Sequence, residues 1–493
     1  IRGREPRQTA PGNRVGRQEN GEKQPRPHQQ GAFDVEQDLA TLAASVAELK
    51  AKAAMTGTTF SETFYFLTIP LMVLIHAGFL AYEMGASRSK NALASGIKNI
   101  LAFAMIVPFF YFVGWWVYWA FPTGIDLSAG PAGISGLDYA NSVAAPWSEY
   151  MGPNLDDRAS GVFWGAFVLF AATTASILSG ALIERIRLTG FVVLATVLGG
   201  FVWILGAAWG WHADGWLVTR FGYHDFGAAG VVHLIAGAFT LGVVINLGPR
   251  IGKFNADGSA NHIPGHSMPM TLVGLMLIIA GFWGFLMGCV IVPGEAWSWS
   301  GAITTTIYGT PMTLSGMTFN TLMGMAGGII GAWMVTRDPF WMMSGALGGI
   351  ISCAAGLDLW YPPMAFVIGF FGAATMPFVS SFVEKMKIDD AVGAVAVHMY
   401  LGFWGVLVVG IAAQGYPALA GADVIETSFT GQLVGGLVMA ALGFVPGYAI
   451  SWLLAAIGQL RVPAEAEIMG LDKAKAPASA YPEALHPTVT PAE

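Results

Sequence analysis

From residue 60 onward the chain is a succession of apolar segments, each close to the ~20 residues that a helix needs to cross a hydrocarbon layer of about 30 Å. Eleven such segments can be read, at about 62–84, 99–120, 161–183, 188–209, 227–247, 268–291, 316–335, 340–356, 362–383, 391–413 and 431–457. A pattern of this kind predicts an all-α membrane protein, because only helices and closed barrels satisfy their backbone hydrogen bonds inside lipid. Only 11% of the residues are charged, against roughly 25% in soluble domains. The formal net charge of -7 lacks the basic excess that nucleic acid would require. Cys289 and Cys353 are the only cysteines, and both fall in apolar segments. The sequence therefore offers no disulfide framework and no thiolate metal site.

The segments are flanked by two dissimilar ends. Residues 1–32 are polar and rich in Pro, Gly and Gln, which predicts a disordered tail. Residues 33–58 carry Leu39, Leu42, Val46, Leu49 and Ala53 at spacings of three and four, as an amphipathic helix does. That face suits a helix lying on the membrane or on its own subunit; an oligomer-forming coiled coil is the alternative. A membrane domain is then expected over 59–458 and a C-terminal tail over 459–493.

Loop charges predict the orientation. Arg88, Lys90, Lys98, Arg185, Arg187, Arg250, Lys253, Arg337, Lys385 and Lys387 fall in alternate loops. Asp126, Asp138, Glu149, Asp156, Asp157, Glu295, Asp358, Asp423 and Glu426 dominate the others. Positive residues stay cytoplasmic, so the N terminus is expected outside and, with an odd number of spans, the C terminus inside.

The chain also matches itself. Ala77-Gly78-Phe79 followed by Met84-Gly85 reappears as Ala280-Gly281-Phe282 followed by Met287-Gly288. Asp225 precedes His233 by eight residues, with Gly237 four later; Asp390, His398 and Gly402 repeat that spacing. Spans one to five (about 62–247) thus mirror spans six to ten (about 268–413), an inverted 5+5 repeat followed by an eleventh helix. Such repeats place the working site near the midplane. Counting helical rise from each face puts His233 and His398 roughly 5–12 Å apart along the membrane normal. Ionisable groups at that depth are costly and are usually functional. His76 has no repeat partner and reads as a packing residue. Asp225 begins a helix, so N-capping alone would account for it; a further electrostatic role, holding a cation near the outer mouth, is the alternative.

Seven stretches then carry a resemblance: EMGASRSKNAL (83–93), GALIERIRLTGF (180–191), DFGAAGVVHLIAG (225–237), HSMPM (266–270), AGFWGF (280–285), DDAVGAVAVHMYLGFWG (389–405) and RVPAEAEIMGLD (461–472). In this order they resemble the ammonium transporter (Amt/Mep/Rh) family. The resemblance implies that His233 and His398 are the twin pore histidines. It implies that Trp211, Phe170, Asp225 and Cys289 form the outer ammonium recruitment site, with Trp209 as the alternative to Trp211. Phe170 and Phe285 align with the stacked phenyl gate. Three positions depart from the family pattern: Leu286 for Asn, Gly393 for Asp, and Cys289 for Ser.

What the resemblance implies overall is an ammonium transporter in an inner or plasma membrane rather than an enzyme. A homotrimer is expected, with a possible PII-type regulator at the cytoplasmic face, no nucleic acid partner, and no cofactor or metal. Cation-π attraction at Trp211 and Phe170, deprotonation, and a proton relay through neutral imidazoles make net movement electrogenic. A neutral ammonia channel and an ammonium sensor with a transporter fold are the alternatives. A haem enzyme using the intramembrane histidines is a more distant one.

Overall fold

The computed structural model describes residues 27–128, 134–151, 158–291, 304–416, 425–475 and 478–482. Most of the expected disordered tail, 1–26, lies outside these residues. So do Asp156, Asp157, Glu295 and Asp423, on which part of the predicted orientation rests.

Among the described residues, ten helices are long and apolar enough to cross a membrane. We number the helices α1 (Pro27–Ala86), α2 (Ser89–Ala120), α3 (Gly161–Ala181), α4 (Leu188–Gly210), α5 (Ala229–Leu247), α6 (Met268–Gly288), α7 (Leu314–Thr336), α8 (Pro339–Ala354), α9 (Pro362–Lys385), α10 (Val395–Ala412) and α11 (Phe429–Ala456). The eighth, α8, is apolar but has only 16 residues. A short antiparallel sheet of β1 (Val290–Ile291), β2 (Thr304–Thr306) and β3 (Pro311–Met312) lies between α6 and α7.

The chain divides into two units, 1–55 and 56–493. In the first, Leu39, Leu42, Val46 and Leu49 are all exposed. The sequence reading treats 33–58 and 62–84 as separate helices, whereas α1 is assigned without a break. The residues between them, Thr59, Phe60 and Ser61, include neither glycine nor proline, so nothing forces the hydrogen-bond ladder to end there.

Within the second unit, α7 packs on α8 and α9, and α5 on α11. Close approach depends on small residues, as it does wherever helices associate without a hydrophobic driving force. At Gly345, for example, a Cβ would stand 2.5 Å from the Gly328 carbonyl oxygen. One end of the bundle is tied by buried ion pairs. Arg88 Nε donates to Glu184 at 2.8 Å, and Arg250 clamps Asp389 through Nε at 2.8 Å and Nη2 at 2.9 Å. Burial alone would raise the Asp389 carboxyl, but hydrogen bonds from Arg250 and the Arg185 and Arg250 charges hold it well below the usual carboxylate range.

Candidate functional site

The two repeat-related histidines meet because their helices cross at glycine. Gly237, one turn after His233, lies against the backbone of Met399, where a Cβ would overlap it. Gly402, one turn after His398, lies in the same way against Ala229 and Leu234. The two backbones therefore approach without intervening side chains, and the imidazoles come into contact. His233 Nδ1 and His398 Nδ1 are 3.0 Å apart, with ring centroids at 5.2 Å and planes 23° apart. Each histidine sits in a π-helical turn, Ala229–Leu234 and Val395–Tyr400, the local widening that is common at functional sites. An Nδ1-to-Nδ1 hydrogen bond needs one ring to carry its hydrogen on Nδ1 and the other to present a lone pair there. His233 and His398 are 1% and 6% exposed, so the pair is held away from solvent. His76 stands apart, 3.4 Å from Ser176 Oγ and edge-on to Phe103.

Phenyl rings cover one side of the pair. Phe285 lies 5.9 Å from the His233 ring, and Phe282 stacks on it at 5.8 Å and 9°. Phe170 and Phe285 touch at 4.5 Å with planes 67° apart. The expected gate pair is thus in contact edge to face, the arrangement that the ring quadrupoles favour, rather than stacked. Trp211 meets Phe170 edge-on at 5.2 Å and donates from Nε1 to the Asp225 carbonyl at 2.6 Å. Trp209 packs instead on Trp216 at 5.6 Å, so of the two candidate tryptophans Trp211 is the one beside Phe170 and Asp225.

Asp225 holds the start of α5. Its Oδ2 accepts from the Gly230 and Val231 amides at 2.9 and 2.8 Å and from the Tyr223 hydroxyl at 3.3 Å. Its Oδ1 is buried with no partner among the described residues. Burial pushes the carboxyl up to about 6, against the opposing pull of the Val231 and Gly230 amides. The Cys289 thiol donates to the Phe285 carbonyl at 3.3 Å. Leu286 is fully buried.

On the other side of the pair, His398 lines a cavity of about 20 Å³ with Phe79, Tyr82 and Leu275, room for one water molecule. A vestibule of about 320 Å³ bordered by Asp390 and Gly393 lies nearby in sequence and space. The departure at Gly393 has a physical reason. Its φ is +73°, and a Cβ there would stand 2.6 Å from the Trp341 ring.

Four residues missed by the sequence reading join the Asp225 side. His224 Nε2 lies 3.0 Å from both oxygens of Asp358, and Thr310 Oγ1 donates to Asp358 at 2.6 Å. The His224 ring stacks on Tyr308 at 4.3 Å. Tyr308 accepts from the Asp225 amide at 3.0 Å and donates to the Gly210 carbonyl at 2.8 Å. The His-Asp doublet at 224–225 was the available signal. Tyr308 and Thr310 lie in a segment without periodicity and gave none.

Comparisons with known proteins identify the family and the fold. The profile described as the Ammonium Transporter Family matches residues 63–481. The ammonium transporter Amt2 of Haloferax mediterranei is 33% identical over 433 residues, covering 85% of this chain and 89% of the relative. Amt1 of Methanocaldococcus jannaschii is 30% identical over 428 residues, covering 86% of this chain and 97% of the relative. Among solved structures, one titled Sensor Amt Protein superposes with a TM-score of 0.70 at 26% identity, covering 85% of this chain and 99% of that one. Saccharomyces cerevisiae Mep2, at 22% identity, shares the fold with a TM-score of 0.61, covering 84% of this chain and 90% of that one.

Proposed function

Because the chain belongs to the ammonium transporter family, we propose that it recruits ammonium at an outer site of Trp211, Phe170, Asp225 and Cys289 and passes it between Phe170 and Phe285. The permeant continues as ammonia, and His233 and His398 relay its proton. The observation that carries this reading is the 3.0 Å contact between the two imidazoles directly beneath the phenyl pair. An ammonium ion entering such an apolar passage loses hydration worth many kcal/mol. Cation-π attraction at Trp211 and Phe170 returns only about 0.5–2 kcal/mol. Giving up the proton at the gate is the less costly course, and a neutral imidazole pair can accept it and pass it on.

The same reading extends to topology. We take residues 59–458 as the transport domain, with eleven crossings in which the 16-residue α8 is the eighth, about 24 Å long at 1.5 Å per residue. The two groups of five helices are related as an inverted repeat, the N terminus is outside and the C terminus inside. The clustering of Arg88, Arg185 and Arg250 at one end supports that orientation. A homotrimer with one pore per subunit, and a PII-type regulator at the cytoplasmic face, belong to the same proposal.

A second reading, an ammonium sensor, is favoured by the similarity to the Sensor Amt Protein. An ammonium jump on liposomes containing the purified protein separates the readings, with a potassium jump as control. Transient current specific to ammonium supports electrogenic transport. Ammonia entry without current assigns a neutral channel, and ammonium binding with neither assigns the sensor.

A further inference from the structure

The end of the bundle that carries the buried arginines has a second pocket, away from the histidines and unused by the transport path. It measures about 250 Å³ and is bordered by Ile97, Lys98, Arg187, Leu188, Val462 and Lys475, among others. Three segments form its walls: the start of α2, the start of α4, and the chain that follows α11. That chain is firmly docked. Its Val462 amide donates to the Arg185 carbonyl at 3.0 Å, and the Arg187 amide donates to the Leu460 carbonyl at 2.9 Å. Farther on, the Leu471 amide donates to Asn91 Oδ1 at 2.8 Å. The Asp472 carboxylate accepts from the Leu93 and Ala94 amides at 3.1 and 2.8 Å.

The charges around this pocket do not balance. Arg187 donates through Nε alone, to the Arg461 carbonyl at 2.9 Å. Its two terminal nitrogens have no protein partner among the described residues. Lys475 is exposed and likewise unpaired among them. The acids nearest in the chain are already engaged: Asp472 by the α2 amides, and Glu467 by Arg461 at 2.8 Å and by the Ile251 amide at 2.7 Å. Lys98 contributes only its stem, because its ammonium turns inward to the Ser179 carbonyl at 3.0 Å and over the Phe191 ring. α4 also begins here without a side-chain cap, which leaves first-turn N–H groups for an anion. Apolar walls beneath two free cations suit an amphiphile whose head is negative and whose remainder is greasy.

We propose that this pocket binds the phosphate of an anionic ligand, with Arg187 and Lys475 as its cationic contacts, and that a phospholipid headgroup supplies it. Basic pockets between membrane helices take such headgroups. The acyl chains would run along the exposed apolar faces of α2 and α4, where Ile100 and Val193 are 60% and 44% exposed. Since one wall is the docked tail, an occupied pocket fastens the tail to the bundle. The proposal rests on the membrane-spanning reading alone and does not depend on what the pore conducts.

The test uses the full-length protein in detergent, titrated separately with phosphatidylglycerol, phosphatidylcholine and inorganic phosphate, with bound ligand read by native mass spectrometry. The expected result is binding of phosphatidylglycerol about thirtyfold tighter than of phosphatidylcholine, the fold-change that two nearby cations at roughly 1 kcal/mol each correspond to. Lys475→Gln should remove a large part of that preference and Lys475→Gln with Arg187→Gln nearly all of it. Lys473→Gln, the same charge change in the same tail segment but outside the pocket, should leave it intact. Lys475 makes no bond to the described residues, so its loss is not expected to harm folding; the thermal unfolding midpoint in phosphatidylcholine checks this for each variant. Phosphate binding with the same variant dependence, in the absence of any phospholipid preference, would keep the site and assign it to a soluble phosphate. A lack of preference together with no variant-dependent phosphate binding, a preference that survives the double variant, or an equal loss in Lys473→Gln would overturn the proposal.

Discussion

The turn that starts at Asp225 and the turn that starts at Asp390 are built to one plan. Each has a carboxylate accepting from amides at the head of a helix, a left-handed residue three positions on, a π-helical turn, and a histidine at the eighth position. Their surroundings differ. Both oxygens of Asp390 are used, Oδ1 by the Ala394 amide at 3.0 Å and Oδ2 by the Val395 amide at 2.7 Å. Asp225 uses one carboxylate oxygen and leaves the other buried without a partner among the described residues, while Trp211 and Tyr308 bond its backbone and Tyr223 its engaged oxygen. A buried acceptor left unpaired costs about 1–3 kcal/mol. The Asp225 side carries that cost beside an aromatic wall, where a cation with N–H donors would relieve it. Equivalent local structure thus supports a fastening role at Asp390 and a ligand-facing role at Asp225.

The strongest test concerns what the two halves share. His233→Ala and His398→Ala should each lower the ammonium-evoked current about a hundredfold, the low end of what a positioned proton acceptor contributes. Because a single hydrogen bond joins the rings, the two losses should agree to within about tenfold in proteoliposome recordings. A much larger gap would show that the halves are not equivalent at the pair itself.

The carboxylates should then separate the halves. Asp225→Asn keeps an acceptor for the helix amides but removes the charge, so current at low ammonium should fall about tenfold, corresponding to roughly 1.4 kcal/mol of lost attraction. Asp390→Asn should leave the current nearly unchanged. It turns an amide group toward a backbone N–H and should cost about 1–2 kcal/mol of stability, read as a lower unfolding temperature. If the two variants exchanged these outcomes, the assignment of roles would be reversed.

Acid offers a gentler version of the same experiment. With its carboxyl raised to about 6, Asp225 is largely charged at pH 7 and becomes neutral as pH falls through 6. Ammonium itself keeps its charge over that range. Low-ammonium current should therefore decline several-fold between pH 7 and 5, and Asp225→Asn should remove that component of the decline. The sign is opposite for Asp389, whose carboxyl is held low. Its stabilising contribution is complete above the ordinary Asp range and is lost only at more acid pH.

Much of this architecture is legible in the residues because lipid penalises exceptions. Long apolar segments have few alternatives, and a histidine repeated at the same distance from an aspartate stands out where ionisable groups are costly. Distance was less accessible. A rise-based count separates the imidazoles by roughly 5–12 Å along the normal; their ring centroids are 5.2 Å apart, at the short end of that range, and their Nδ1 atoms 3.0 Å apart. Rise per residue says nothing of which helix faces converge, and that is decided by Gly237 and Gly402 lying against the opposite helix. The His224–Asp358–Thr310 cluster was not legible, because its members come from three distant segments with no shared period. Asp358 reads in sequence as an ordinary loop charge, and only the fold encloses it.

The finest difference between the two turns is the left-handed residue. Ala228 has φ +63° and Gly393 has φ +73°. A side chain in that region costs roughly 1–2 kcal/mol, so Ala228→Gly should be neutral or slightly stabilising, with the relief of strain set against the added freedom of the unfolded chain. Gly393→Ala incurs the strain and also drives a methyl group toward the Trp341 ring, 2.6 Å from the ideal Cβ position. It should lower the unfolding temperature by more than Ala228→Gly raises it, while ammonium current per folded protein changes less than twofold. A large loss of current at an unchanged unfolding temperature would instead mean that Gly393 acts in conduction. The turn at Asp390 would then be more than a fastening.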